Sequence, residues 1–310
     1  MKQINLDLIR STEAAAIAAA MWVGSGNKIE ADKAATEAMR NRLNKINFAG
    51  IVAIGEGIKD QSYGLFQGEL VGEEFVFIRQ NSTPKPNYDL AIDPIEGSTP
   101  TVTSGPEAIS TIAMAGKDCF YRTDDFYMLK LAYGSQIKDK IKLNISDDIL
   151  DIVEKISVVL DKPKEQIMVC MLDRPRHQEY INKLREHKVR IKLIKDCDVS
   201  GAIAACLEDS GVDLLYGIGG APEAVISAAA IKCLGGDFQG VCVDEEWNKK
   251  GNVLEIEDLV KGDCVFVATG ITDGSILDGV RFTSRGPITH SVSMRSESGT
   301  VRWIKANHGN

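Results

Sequence analysis

The sequence has no Cys-x-x-Cys pair, no long basic run, no internal repeat, no low-complexity tract and no apolar run long enough to span a membrane. Each absence closes a class. The seven cysteines (Cys119, Cys170, Cys197, Cys206, Cys233, Cys242, Cys264) are scattered and odd in number. That fits reduced thiols in a cytoplasmic protein rather than a disulfide framework or a zinc site. A net charge of −8 without a basic stripe excludes nucleic acid and anionic membrane as expected partners. The apolar patch near the start follows Asp7, Arg10 and Glu13 and is too short for a bilayer. It reads as an amphipathic helix capped at Ser11 or nearby, not as a signal peptide. Of only four histidines, His187 and His308 show no partner pattern and read as surface, and no serine–histidine–acid arrangement emerges.

What is present is an ordinary globular composition, 44% hydrophobic and 26% charged over 310 residues, enough for one broad or two fused domains. Helices are expected over 5–23 and 31–46, broken by "GSGNK". Strands are expected at "GIVAIGEG" (50–57), "YDLAIDP" (88–94) and within 108–121. Residues 58–87 are poorly patterned, with an exposed turn at "STPKPN". From residue 166 strands and helices alternate: "QIMVCMLD", a helix from about 177, "RIKLIKD", a helix near 199–207, "VDLLYGIGG", a helix from 222, then "CVFVATG". This is the rhythm of an α/β sheet with crossover helices. The tail around "SESG" alternates apolar and polar and reads as a β-hairpin. The expected whole is a layered α/β sandwich with a soft division into residues 1–150 and 151–310, the hairpin packing back on either half.

Acidic residues recur where strands end or helices begin: Glu56 in "GEG", Asp93 and Glu96 in "DPIEG", Glu223 in "GIGGAPEA". Open α/β sheets gather functional groups at the carboxyl ends of strands. Carboxylates converging there make an oxygen-rich cage, which selects Mg²⁺ or Mn²⁺ over zinc or copper. Two such ions can hold a phosphate between them. Within "DPIEGST", Pro94 stiffens the turn, Gly97 allows close backbone approach, and Ser98 and Thr99 offer hydroxyls at a helix start. Taken alone, the stretch reads as plainly as a capped helix after a turn. "GIGGAPEA" is a second anion candidate or an ordinary strand-to-helix turn. Arg174 and Arg176 in "DRPRH" have the forked geometry that matches phosphate oxygens, though exposed arginine pairs are commonly solvated surface.

Together, "NKIEAD" (27–32), "AIGEG" (53–57), "AIDPIEGST" (91–99), "DDFYM" (124–128), "LDRPRH" (172–177), "KDCDVSGAI" (195–203), "YGIGGAPEAVISAAAIKCLGG" (216–236) and "FVATGITDG" (266–274) resemble, in order and spacing, class II fructose-1,6-bisphosphatases. These belong to the lithium-sensitive sugar and inositol phosphatases. The resemblance covers nearly the whole chain. "DPIEG" alone points to the superfamily, whereas "RPRH" and the 216–236 block point to class II. It implies a layered α/β/α/β/α sandwich and cation-dependent removal of the 1-phosphate from fructose 1,6-bisphosphate, with Mn²⁺ or Mg²⁺ as cofactor, and an assembly of several copies, a tetramer by the family's habit. On the family's pattern Asp32 and Glu56 hold one cation, and Asp93, Glu96 and Glu223 the other. Substrate contacts fall at Glu96, Gly97, Ser98, Tyr127, Arg174, Pro175, Arg176, Asp196, Cys197, Asp198 and Gly220. Lys28, Asp32, Asp60 and Ser98 are the positions implied for catalysis.

Three departures stand out. Ile58 follows "GEG" where many relatives carry an acid, which takes a carboxylate from any third cation site. Cys197 stands where glycine is usual. Ser98 stands where the family has threonine, so the hydroxyl stays and one methyl is lost. The alternatives are a dual fructose/sedoheptulose bisphosphatase, an inositol-phosphate phosphatase, or, from another class, a sugar-phosphate sensor without turnover. The complete set of five carboxylates argues against a sensor.

Overall fold

The computed structural model describes residues 4–56, 63–76, 85–122 and 126–309; Ile58 and Asp60 lie outside them. Two helices come first, α1 (Asn5–Ala20) and α2 (Lys28–Leu43). Then follow β1 (Gly50–Ile54), β2 (Leu70–Val71), α3 (Glu73–Val76), β3 (Tyr88–Glu96), α4 (Ser98–Thr103), β4 (Ile109–Gly116) and β5 (Tyr127–Tyr133). The alternating stretch comprises α5 (Ser135–Lys138), α6 (Ile149–Leu160), β6 (Met168–Leu172), α7 (Gln178–Glu186), β7 (Arg190–Ile194), α8 (Asp198–Ala204), β8 (Leu214–Gly220) and α9 (Ala221–Cys233). The chain ends in β9 (Asp237–Val243), β10 (Lys249–Glu255), α10 (Ile256–Leu259), β11 (Cys264–Gly270), β12 (Arg281–Thr283), β13 (Gly286–Arg295) and β14 (Thr300–Asn307).

Two mixed sheets form. The eight-stranded one runs β12-β13-β11-β4-β3-β1-β2 with β14 also paired to β13, and the six-stranded one runs β10-β9-β5-β8-β6-β7. The alternating segment makes the parallel core of the second sheet, β6 pairing parallel with both β7 and β8. The tail hairpin β13–β14 joins the first sheet, which the chain re-enters through β11.

The layering follows from how apolar residues are distributed on each helix. In α9, "APEAVISAAAIKC", nearly every residue is buried. A helix apolar all round belongs inside, and α9 packs on strands of both sheets, with α8 beside it. Small alanines let backbone approach backbone there. The helix α1 has one alanine-rich buried face (Ala15, Ala16, Ala19) and lies with α2 on the outer face of the first sheet. The helix α6 buries Ile149, Ile152, Val153 and Ile156, one stripe, against the outer face of the second sheet near α7. The result is an α/β/α/β/α sandwich. Among the described residues no helix is long and apolar enough to cross a membrane.

Two local expectations are corrected. Ser11 does not cap α1. The helix already starts at Asn5, because Leu8 and Ile9 bury there, and Ser11 is itself buried with its hydroxyl donating to the Asp7 carbonyl at 2.9 Å. The side-chain cap falls instead on α2, where Asn27 accepts from the Glu30 amide at 3.3 Å. His308 is not plain surface either: it is half-buried, its Nε2 2.8 Å from the Thr289 hydroxyl. His187 is exposed, as expected.

Candidate active site

Asp93 and Glu96 are three residues apart, and in a regular strand such residues point to opposite faces. Pro94 lies between them and cannot donate to the ladder. The pairing of β3 with β4 slips at that point, Asp93 opposite Thr111 but Glu96 opposite Ile109. The extra residue turns both carboxylates to one rim. Glu223, in the first turn of α9, meets them. Oxygens of Asp93, Glu96 and Glu223 all lie within 4.8 Å of one another.

Three carboxylates this close resist ionising together. Burial, then the charges of Glu96, Glu56 and Glu223, holds the Asp93 carboxyl well above the ordinary range. Burial, then Asp198 and Glu223, pushes Glu96 up to about 8. The donor set is all hard oxygen and preassembled, and it fits a divalent cation. Glu56 and Asp32 line the same cavity, whose volume is about 870 Å³, within the range of small-ligand sites.

The loop after β3 is shaped by contact. Gly97 has φ +99°, and a Cβ there would sit 2.3 Å from the Cys197 sulfur. Cys197, before α8, has φ +70° and leans its thiol on the Glu96 carbonyl at 3.4 Å. A left-handed residue at this point explains why glycine suits it. Burial, then Glu96, pushes the Cys197 thiol well up, so it stays neutral. Beyond Gly97, the Ser98 hydroxyl donates to Asp32 Oδ1 at 2.7 Å. The next hydroxyl, Thr99, is taken by Lys28, whose Nζ lies 2.6 Å away.

The opposite wall is basic. Arg174 pairs with Asp196 at 2.6 Å. Pro175 opens a 3-10 turn through His177, and Arg176 donates from Nε and Nη2 to the Ile218 carbonyl at 3.0 and 2.8 Å. His177 is buried beneath, its Nδ1 against the Leu172 carbonyl and its Nε2 accepting from the Ile218 amide at 2.7 Å. Burial lowers its pKa, so it is a neutral brace between β6 and β8. Tyr127 lies under the Arg176 guanidinium, 5.0 Å from ring centre to Cζ.

Gly220 precedes α9, where a Cβ would strike Glu223 at 2.0 Å. The first α9 amide, Ala221, is already bonded to the Phe126 carbonyl at 2.7 Å and Pro222 has none, so this helix start offers fewer amides to an anion than the sequence suggests. Asp198 is tied to Lys130 at 2.6 Å, both buried. Lys130 was missed in the sequence, although a lone lysine within "YMLKLAY" is a visible signal. Trp247 was also missed; an aromatic residue inside the polar loop "DEEWNKK" marks it. Asp60 is outside the described residues.

A carboxylate cage that shares one cavity with arginines is the equipment of a cation-assisted site for phosphate esters. The family described as bacterial fructose-1,6-bisphosphatase, glpX-encoded, matches residues 2–308, and the chain belongs to it. A class 2 fructose-1,6-bisphosphatase of Haemophilus influenzae is 38% identical over 99% of this chain and 96% of its own length. A class 2 fructose-1,6-bisphosphatase of Escherichia coli K12 is 36% identical over 99% of this chain and 95% of its own. Membership carries with it a divalent cation, to which the acidic cage is matched.

Proposed function

We propose that the protein hydrolyses the 1-phosphate of fructose 1,6-bisphosphate to fructose 6-phosphate and phosphate, with Mn²⁺ or Mg²⁺ as cofactor. The observation that carries this is the trio Asp93, Glu96 and Glu223, with Glu96 buried and the other two half-buried, lining one cavity with Arg174 and Arg176. Family membership supplies the substrate class.

When bound, the cation polarises the phosphoryl group and acidifies water. Asp93, Glu96 and Glu223 would hold it, and Glu56 with Asp32 would hold a second. The chain's own groups then do the rest. Ser98, hydrogen-bonded to Asp32, is placed to orient the attacking water and pass its proton to that carboxylate. Lys28 steadies the neighbouring hydroxyl. Arg176, over Tyr127 and beside Arg174, takes the phosphate that does not react. Gly97 and Gly220 keep side chains out of the crowded rim. The protein is read as a cytoplasmic homo-oligomer of the gluconeogenic type.

The test is phosphate release from fructose 1,6-bisphosphate with Mn²⁺, with Mg²⁺ and with chelator, beside sedoheptulose 1,7-bisphosphate and an inositol monophosphate. Turnover of the fructose ester only when a cation is present supports the reading. Faster turnover of the inositol ester, or none of any ester with either cation, overturns it.

A further inference from the structure

Trp247 is an aromatic residue in an otherwise polar surface loop, "DEEWNKK". It lies in the five-residue loop between β9 and β10, its side chain is partly exposed, and its backbone has φ +68°. That left-handed conformation suits glycine or asparagine and strains a bulky residue. Strain of this kind in an ordered loop points to a role beyond the fold. The loop is held by one carboxylate: Asp244 accepts from the amides of Glu246 at 3.0 Å and Asn248 at 2.8 Å, and the Trp247 amide closes on the Asp244 carbonyl at 3.1 Å.

The held indole points at the cavity's basic wall. Its ring is edge-on to Tyr127, with centroids 5.2 Å apart and planes at 73°. The Arg176 guanidinium stands over both rings, 5.0 Å from Tyr127 and 5.1 Å from Trp247. Register explains the meeting: Met128 of β5 pairs with Cys242 of β9, so Tyr127 and the β9–β10 loop share one end of the sheet. Arg176 is therefore fixed by a carbonyl on one side and an aromatic corner on the other, which leaves its rotamers few and its fork aimed.

We propose that Trp247 is a positioning residue for the non-reacting phosphate of a sugar bisphosphate, acting by completing an aromatic corner that holds Arg176. The inference rests on the reading of Arg176 as the group that takes that phosphate. A cation over an aromatic face is stabilised electrostatically, and losing one face frees the guanidinium. The reacting end, around Asp93 and Ser98, is untouched.

The test compares wild type with Trp247→Gly, Trp247→Ala and Trp247→Phe, in turnover of fructose 1,6-bisphosphate and in direct binding of fructose 6-phosphate and of inorganic phosphate. Trp247→Gly should relieve the backbone, leaving the melting temperature equal or higher, while KM and the fructose 6-phosphate Kd rise about 3- to 30-fold. Turnover number should stay within about twofold, inorganic phosphate affinity should not move, and Trp247→Phe should recover most of the loss. Unchanged KM and unchanged fructose 6-phosphate affinity in both the glycine and alanine variants overturn the proposal. Absence of turnover in wild type counts against the proposed activity alone, since fructose 6-phosphate binding reads the aromatic corner without catalysis.

Discussion

Ser98 donates its hydroxyl hydrogen to Asp32 Oδ1 at 2.7 Å, tying the first residue of α4 to the second turn of α2. If that hydroxyl orients the attacking water, removing it removes acid–base help worth about 10²–10⁴-fold. Ser98→Ala should lose turnover on that scale in phosphate release. Ser98→Thr should match or exceed the present rate, because β-branching restricts the rotamer. Should Ser98→Ala stay active and Thr99→Ala fall silent, the hydroxyl held by Lys28 is the working one instead.

If the carboxylate trio holds the cation, its clustering comes at a cost in stability when the cation is absent. Glu223→Ala should abolish cation-dependent turnover, yet in chelator its melting temperature should equal or exceed that of wild type, since a repelling charge has gone. A variant that unfolds in chelator while wild type does not would make Glu223 structural.

The pH dependence has a definite sign. Glu96 titrates near 8 in the fold against an ordinary 4.5. Between those values the folded chain holds a proton the unfolded chain does not, so stability without cation should fall as pH rises from about 5 to 8. Adding Mn²⁺ requires ionised ligands and should release protons. Its stabilising effect should therefore grow with pH over the same window. Melting curves with chelator and with Mn²⁺ across pH 5–8 check this; a chelated protein that grows more stable with pH contradicts it.

Arg176→Ala should chiefly raise KM, although binding energy at a remote phosphate also appears in turnover. A large fall in turnover number at constant KM would move Arg176 to the reacting end.

Lys130→Met leaves Asp198 buried without its cation. Breaking such a pair on one side costs about 3–5 kcal/mol, readable as a lower urea midpoint. Lys130→Met with Asp198→Asn should recover part of that loss.

The line between what was legible and what was not runs through particular residues. The helix start of α9, the strands β6, β7 and β8, and the final hairpin were legible because local pattern and turn chemistry agree there. The Ser11 cap failed because burial of Leu8 and Ile9 carried the helix further back than the polar signal. His308 failed because its partner, Thr289, lies across a hairpin.

By itself the sequence determined which residue types are available for chemistry and where along the chain they stand. Carboxylates, hydroxyls and arginines at strand ends are legible as types, and Pro94 and Gly97 mark where backbone must bend. Only the tertiary structure decided which of them meet. The slip of β3 against β4 sets Asp93 and Glu96 on one rim, α9 brings Glu223 to them, and the β9–β10 loop carries Trp247 to Arg176. Side-chain identity is local, whereas distance and mutual charge depend on register and on burial between layers, and those exist only once the sheets have packed.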